Sequence, residues 1–381
     1  MNFPQKHSVT GTNIFTVMSG LSAQYNAINL SQGFPDFGLD EHLSKLLYNA
    51  ARTDYNQYAP MAGLPMLRQA IAKDFKNRYN LTIDADTEIT ITPGATYAIY
   101  TAFTSVLVPG DEVIILEPCY DSYLPNIEMN GAKAIPVSLV APDFSVDWNK
   151  VKNAITPKTK AIIVNTPHNP TGAIWAKNDW DTFAEIVRNT DIIILADEVY
   201  EQLIFDNKKH YSVLEHSELR ERSFAIYSFG KVYNNTGWKI GYCIAPPKYT
   251  SAFRAIHQFL AFSVNTPGQY ALAMHLESGL ADSVGKIMEQ KRNKFISLMQ
   301  NTLFTIHTPT KGSYFQVASY EKISDMADIE FAKWLTINYG VATIPISSFY
   351  KNRKDDHLIR FCFAKKDETL INAVERLKRI G

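Results

Sequence analysis

The sequence predicts an α/β protein: a mainly parallel sheet covered by helices, followed by a smaller α+β lobe. Three observations carry this. Between about Asp86 and Pro246, short runs that are apolar throughout alternate with longer amphipathic stretches. Strands with no polar face need cover on both sides, and crossover helices supply it. After about Phe262 the rhythm changes to long amphipathic helices and short strands. The chain has 381 residues, 46% hydrophobic and 20% charged, which is enough for a large core and two lobes.

Taken in order, "TEITIT" (87–92), "DEVIILEP" (111–118), "AKAIPVSL" (132–139), "KAIIVNTP" (160–167), "DIIILADEVY" (191–200) and "SFAIYSF" (223–229) read as strands. Tyr97 to Val108 and Trp180 to Asn189 have helical length and spacing. Residues 283–301 read as a long amphipathic helix with its basic and polar residues on one face. Then come short strands in "GSYFQVAS" and "HLIRFCFA", and helices around "IEFAKWLTINYG" and "ETLINAVERLKRI". The first 40 or so residues are rich in loop signals. The expected divisions are 1–40 as a segment packing on the small domain, 41–270 as the large domain and 271–381 as the small C-terminal domain.

Lys+Arg and Asp+Glu balance at 38 each, so nothing electrostatic points to nucleic acid or an anionic membrane. No stretch approaches the roughly 20 apolar residues that span a bilayer. The beginning of the chain carries no secretory pattern, and three cysteines (Cys119, Cys243, Cys362) do not make a disulfide framework. A cytoplasmic protein is expected. The sequons at Asn29, Asn80 and Asn234 are then read as chance.

The unusual polar residues stand at strand ends, where open α/β sheets bind ligands. "TPGATYAIY" follows the first strand and opens a helix, so Gly94, Ala95 and Thr96 would offer free N–H groups to a phosphate. "NTPHNPTG" ends another strand. Asn169 there is either turn chemistry or an amide pointing into the cleft. Asp197 closes an apolar strand and needs a partner: a lysine, a helix N-cap or a ligand cation. Tyr200 lies three residues on. "SFGKVYNNTGWKIGY" places Lys231 just beyond the next strand and Lys239 after a Thr-Gly-Trp. An anion cradle, a carboxylate, a phenol, an amide and a lysine on one sheet edge match pyridoxal 5′-phosphate, with its phosphate, ring nitrogen, phenolic oxygen and aldehyde.

With "NPTG", "ADEVY" and "SFGKVYNNTGWKIGY" in this order, the chain resembles a class I aminotransferase of fold type I over essentially its whole length. More narrowly it is similar to bacterial methionine aminotransferases and kynurenine–glutamine aminotransferases. "LSQGFPDF", "QYAPMAGLPMLRQAI", "EPCYDSY" and "LIRFCFAKKDETL" carry that narrower match. The resemblance implies a seven-stranded sheet with pyridoxal 5′-phosphate on the large domain. It makes Lys231 the Schiff-base lysine and the base that moves the substrate proton. Asp197 would hold the ring nitrogen, Tyr200 and Asn169 its phenolic oxygen, and Tyr120 would stack on its face. Gly94, Ala95, Thr96, Ser228 and Lys239 would bind the phosphate; the family often has arginine at the last position. Tyr58 would reach the phosphate of a neighbouring subunit, which makes a homodimer with a shared site. Arg360 would clamp the substrate carboxylate; read alone, it fits an outward-facing strand charge equally well. Gly33 would let the backbone approach the substrate. Phe15, Phe37, Tyr120 and Phe262 are candidates for an apolar side-chain pocket.

The implied activity is ping-pong transfer of an amino group from an apolar or aromatic L-amino acid to a 2-oxo acid. The donor would be methionine, Phe/Tyr/Trp, kynurenine or glutamine. The rival on the same fold is a C–S β-lyase using the same Lys231, Asp197 and Arg360. A cofactor-binding regulator of transcription is disfavoured by the lack of a basic patch. A nucleotide-binding enzyme is disfavoured by the lack of G-x-G-x-x-G and P-loop motifs. No metal is expected.

Overall fold

The computed structural model describes residues 5–9, 11–279 and 284–380. The strands are β1 (Ile28–Asn29), β2 (Ile89–Thr92), β3 (Glu112–Glu117), β4 (Lys133–Ser138), β5 (Thr159–Asn165) and β6 (Ile193–Asp197). They continue as β7 (Ser223–Ser228), β8 (Gly241–Ile244), β9 (Phe315–Ser319), β10 (Val341–Ala342), β11 (Ile344–Pro345) and β12 (Leu358–Cys362). The α-helices are α1 (Ile14–Gln24), α2 (Glu41–Ala51), α3 (Pro65–Tyr79), α4 (Ala95–Val106), α5 (Tyr123–Met129), α6 (Trp148–Ala154) and α7 (Lys177–Val187). Then follow α8 (Ser217–Arg220), α9 (Phe229–Val232), α10 (Pro247–Leu260), α11 (Thr266–Glu277), α12 (Val284–Met299), α13 (Asp328–Tyr339) and α14 (Asp367–Leu377).

Seven strands form the main sheet in the order β2-β8-β7-β6-β5-β3-β4. Only β8 runs antiparallel to its neighbours β2 and β7. The six strands read from the sequence are all there. The seventh, β8, is four residues that open on a glycine, too short to show a period. Gly241 is needed there, because a Cβ would lie 2.5 Å from the Tyr227 carbonyl oxygen.

The pleat explains the double cover. Ile114, Ile162, Ile194 and Ala225 join the core on one face. Their chain neighbours Val113, Ile163, Leu195 and Phe224 join the core on the other, against Ala98, Ile99 and Phe103 of α4. Two periods of apolar side chains therefore read as one unbroken apolar run. Registers Asn165↔Asp197 and Asp197↔Ile226 bring the carboxyl ends of β5, β6 and β7 to one edge.

A third core gathers Leu30, Tyr200, Phe205, Phe295, Tyr314, Phe361 and Val374 beneath the antiparallel sheet β11-β12-β9. The N-terminal stretch, rich in loop as expected, also carries one helix and one short strand: Asn13 caps α1, and β1 pairs with β10. One expectation is corrected here. On α12 the basic residues do not all lie outside. Arg292 is buried in line with Met288, Phe295 and Met299, and pairs with Asp206 at 2.5 Å. Ser283, the first residue of the expected helix, lies outside the described residues.

Candidate active site

Beyond the carboxyl ends of β5, β6 and β7 lies a cavity of about 250 Å³. Its walls include Phe15, Gly33, Gly94, Ala95, Thr96, Tyr120, Asn169, Asp197, Tyr200, Ser228, Lys231, Lys239 and Arg360. Those thirteen are all candidates from the sequence. Three others are placed elsewhere. Tyr58 is 83% exposed and meets the half-exposed Phe262 edge to face at 5.6 Å, on the surface. Phe37 packs against the third core, under Lys291.

Gly94 caps α4 at φ 82° and ψ 169°, a conformation only glycine adopts without strain. The first-turn N–H groups of α4 have no acceptor within the helix and face the cavity. Lys239 brings its Nζ beside Gly94, since a Cβ there would lie 3.1 Å from it. Ser228 ends β7 next to them. Together these groups form a concave, positive anion cradle.

Asp197 is buried at the end of β6 and accepts from Tyr123 Oη at 2.5 Å and from the Val199 N–H at 3.4 Å. Burial raises its carboxyl to about 6, while the Tyr123 donation pulls it down. No cation is bonded to it among the described residues, which favours the ligand-cation alternative. Lys231 sits in α9 and donates to the Gly33 carbonyl at 3.4 Å. Its ammonium is lowered to about 8, first by burial and then by Lys239. Gly33 also accepts from Tyr314 Oη at 2.6 Å. A Cβ on Gly33 would stand 2.8 Å from the Phe315 ring, so packing against that ring demands glycine.

Arg360 is 1% exposed and points inward. It donates to Asn169 Oδ1 at 2.8 Å and to the Ser31 carbonyl at 2.7 Å. Its guanidinium lies 3.9 Å from the Phe315 ring centre, with Phe349 and Phe15 at 5.2 and 5.3 Å. Burial lowers it to about 10. Neither of these acceptors is a carboxylate, and its Nε is buried without a partner. A buried cation with an unused donor calls for an anion from outside. Asn169 gives its oxygen to Arg360, which leaves its NH₂ to donate into the cavity.

Sequence reasoning missed Tyr123, Phe315, Phe34 and Gln32. Tyr123 lies within "EPCYDSY", but nothing local shows that its hydroxyl reaches a strand end 74 residues away. Phe315 becomes visible only once β9 lies beside β12.

The donor set fits pyridoxal 5′-phosphate on the structure's own terms. One end is an anion cradle, the middle holds a lysine held partly neutral by burial, and the far wall carries a buried carboxylate without a cation. The sequence model for aminotransferase class I and II matches residues 25–377. The methionine aminotransferase of Escherichia coli K12 is 43% identical over 372 residues, 97% of this chain and 96% of that protein. Kynurenine–oxoglutarate transaminase 1 of Rattus norvegicus is 31% identical over 403 residues, covering 96% of this chain and 95% of that protein. A crystal structure from E. coli, reported with a methionine aminotransferase function, superimposes with a TM-score of 0.96. It is 42% identical, with both chains fully covered. A family match over most of the chain and a full-length structural superposition agree with the chemistry of the cavity: this chain belongs to the class I and II aminotransferases and is a pyridoxal 5′-phosphate-dependent transaminase.

Proposed function

We propose that the amino donor is an apolar or aromatic L-amino acid, of methionine, Phe/Tyr/Trp, kynurenine or glutamine type, and that the acceptor is a 2-oxo acid. The observation that carries this is the set of cavity walls around Arg360. One arginine lines the cavity among the described residues, and the cavity walls also carry the aromatic rings of Phe15, Phe34 and Phe315. One fork suits one carboxylate, and an aromatic wall suits an apolar side chain. The names of the E. coli and rat relatives support the same substrate class. An apolar wall separates side chains by only about 1–3 kcal/mol per methylene, so breadth among donors is expected.

When bound, pyridoxal 5′-phosphate supplies an aldehyde and a ring that takes up the electron pair left at the substrate Cα. The residues do the rest. Arg360 holds the substrate carboxylate, and Asn169 fixes the guanidinium by its amide oxygen. Lys231 Nζ removes the proton from Cα and redelivers it. Its lowered pKa keeps a useful fraction of neutral amine near neutral pH. Asp197, steadied by Tyr123, would pair with the ring nitrogen and keep it protonated. Tyr200 and the Asn169 NH₂ group would donate to the phenolic oxygen, Tyr120 would cover the ring, and the α4 N-terminus, Ser228 and Lys239 would hold the phosphate. Gly33 keeps its carbonyl on Lys231.

The working unit in this reading is a homodimer. Tyr58, Phe259, Leu260 and Phe262 expose large apolar surface close together in sequence or space. An association that covers this patch would carry Tyr58 to the phosphate of the other copy. The reading also divides the chain at 1–40, 41–270 and 271–381, and places the protein in the cytoplasm. No described helix is long and apolar enough to cross a membrane.

The test is a half-reaction. Holoenzyme is mixed with excess L-methionine and no oxo acid, and products are counted with the visible spectrum. One oxo acid per site, and a single spectral conversion, is expected. A parallel sample with L-cystathionine, whose sulfur sits on a Cβ where that of methionine sits on Cγ, tests the C–S β-lyase. Continued release of ammonia and a thiol there, with no oxo acid formed from methionine, would overturn the proposed donor class.

A further inference from the structure

Away from the cavity, α2 and α11 pack together, and three potential ligands meet where they do. Asp40 caps the N-terminus of α2, accepting from the Leu43 N–H at 2.9 Å. His42 stands in the first turn of α2, and His275 in the last turn of α11. One ligand atom from each of the three lies within 4.8 Å of the others. Aminotransferase chemistry uses none of them.

The two histidines face each other through Nδ1 at 3.4 Å. That is long for a well-formed hydrogen bond. It equals the separation of two ligands on one tetrahedral ion, since metal–nitrogen bonds of about 2.0–2.1 Å set their nitrogens about 3.4 Å apart. The ring centres are 5.7 Å apart and the rings are tilted by 38°, so the two imidazoles meet through their Nδ1 atoms and not face to face. Asp40 is exposed, so its carboxylate can swing the remaining distance by side-chain rotation. The last turn of α11 presents the negative end of its dipole, which favours a cation there. The N-terminus of α2 opposes a cation, and the Asp40 charge offsets it.

We propose that Asp40, His42 and His275 bind one divalent transition metal of the zinc type, with water as the fourth ligand. Two imidazoles, one carboxylate and an open position suit zinc and its neighbours and do not suit magnesium. The ion staples α2 to α11. His275 meets the Tyr233 ring edge to face at 5.0 Å, and the Tyr233 N–H caps α9 at 2.8 Å. The staple therefore steadies the short helix that carries Lys231.

The test is calorimetric titration of chelator-treated holoenzyme with zinc sulfate, with magnesium chloride as control. The expected result is one zinc per chain and no magnesium. His42→Ala, at a part-exposed position, should weaken zinc by roughly tenfold or more. Asp40→Asn keeps an N-cap but loses the charge, and should weaken it too. Zinc should raise the melting temperature of the wild type and not of His42→Ala. Absence of stoichiometric zinc, or equal affinity in wild type and His42→Ala, overturns the proposal. The readout is metal binding, so it stands or falls apart from the substrate assignment.

Discussion

Arg360 shows most directly how a residue's surroundings set its role. A guanidinium buried among three aromatic rings, with one N–H unused, is costly until an anion arrives. Lysine would keep the charge and lose the planar fork. Arg360→Lys should therefore lower kcat/KM for the amino donor by roughly ten- to a hundredfold, the worth of a charged hydrogen bond. The cofactor's visible band should remain. Steady-state kinetics beside a spectrum check this, and an unchanged kcat/KM would move the carboxylate site elsewhere. Asp197 carries a cost of the same kind. Its carboxyl sits at about 6 in the folded chain against 3.8 ordinarily, so folding favours the protonated form. That stability is full below about pH 4 and is lost as pH rises through about 6. Asp197→Asn removes the titration. In cofactor-free protein it should gain roughly 1–3 kcal/mol at pH 7–8, a gain that vanishes near pH 4, while turnover is lost. Urea unfolding across that pH range measures it. A flat difference would mean that the carboxylate is not strained by burial.

At the scale of elements, the site depends on where helices begin. α4 starts at a glycine whose backbone no side chain tolerates well, and Lys239 closes against it. Gly94→Ala should cost about 1–3 kcal/mol in stability. It should also weaken cofactor binding, because the first turn of α4 and the Lys239 ammonium would both be displaced. Thermal melting and cofactor titration test the two effects separately. Unchanged cofactor affinity would remove the α4 N-terminus from the phosphate site. β12 makes a complementary point. It is buried along its whole length, so Arg360 has no solvent face to turn to, and the alternative of an outward charge is excluded by packing.

At the scale of the whole molecule, the cavity lies between two cores. Asp197 comes from the main sheet, Lys231 and the α4 N-terminus from the helices α9 and α4 that follow β7 and β2, while Arg360 and Phe315 come from the three-stranded sheet. Phe15 reaches the same cavity from α1. Tyr58 and Phe262 remain outside it, on an exposed aromatic patch. If the dimer completes the site, sedimentation should give twice the chain mass of 43.0 kDa. Tyr58→Phe should then weaken cofactor affinity through loss of one phosphate hydrogen bond, roughly three- to tenfold. A fully active monomer would exclude the shared site.

The sequence alone determined the class of fold, six of the seven main strands and the polar residues at their carboxyl ends. These are local facts. An apolar run reads as a buried strand wherever it lies, and Gly94, Asp197 and Lys231 stand out against such runs. Only the tertiary structure decided what these residues face. The lowered Lys231 ammonium comes chiefly from burial, with Lys239 second, so a reading from charged neighbours alone misses the larger cause. Tyr123 on Asp197, Phe315 under Arg360 and the Asn169 oxygen on the guanidinium each join positions 45 to 191 residues apart. Such contacts leave no period in the chain. They arise from strand order and register, which no local pattern encodes.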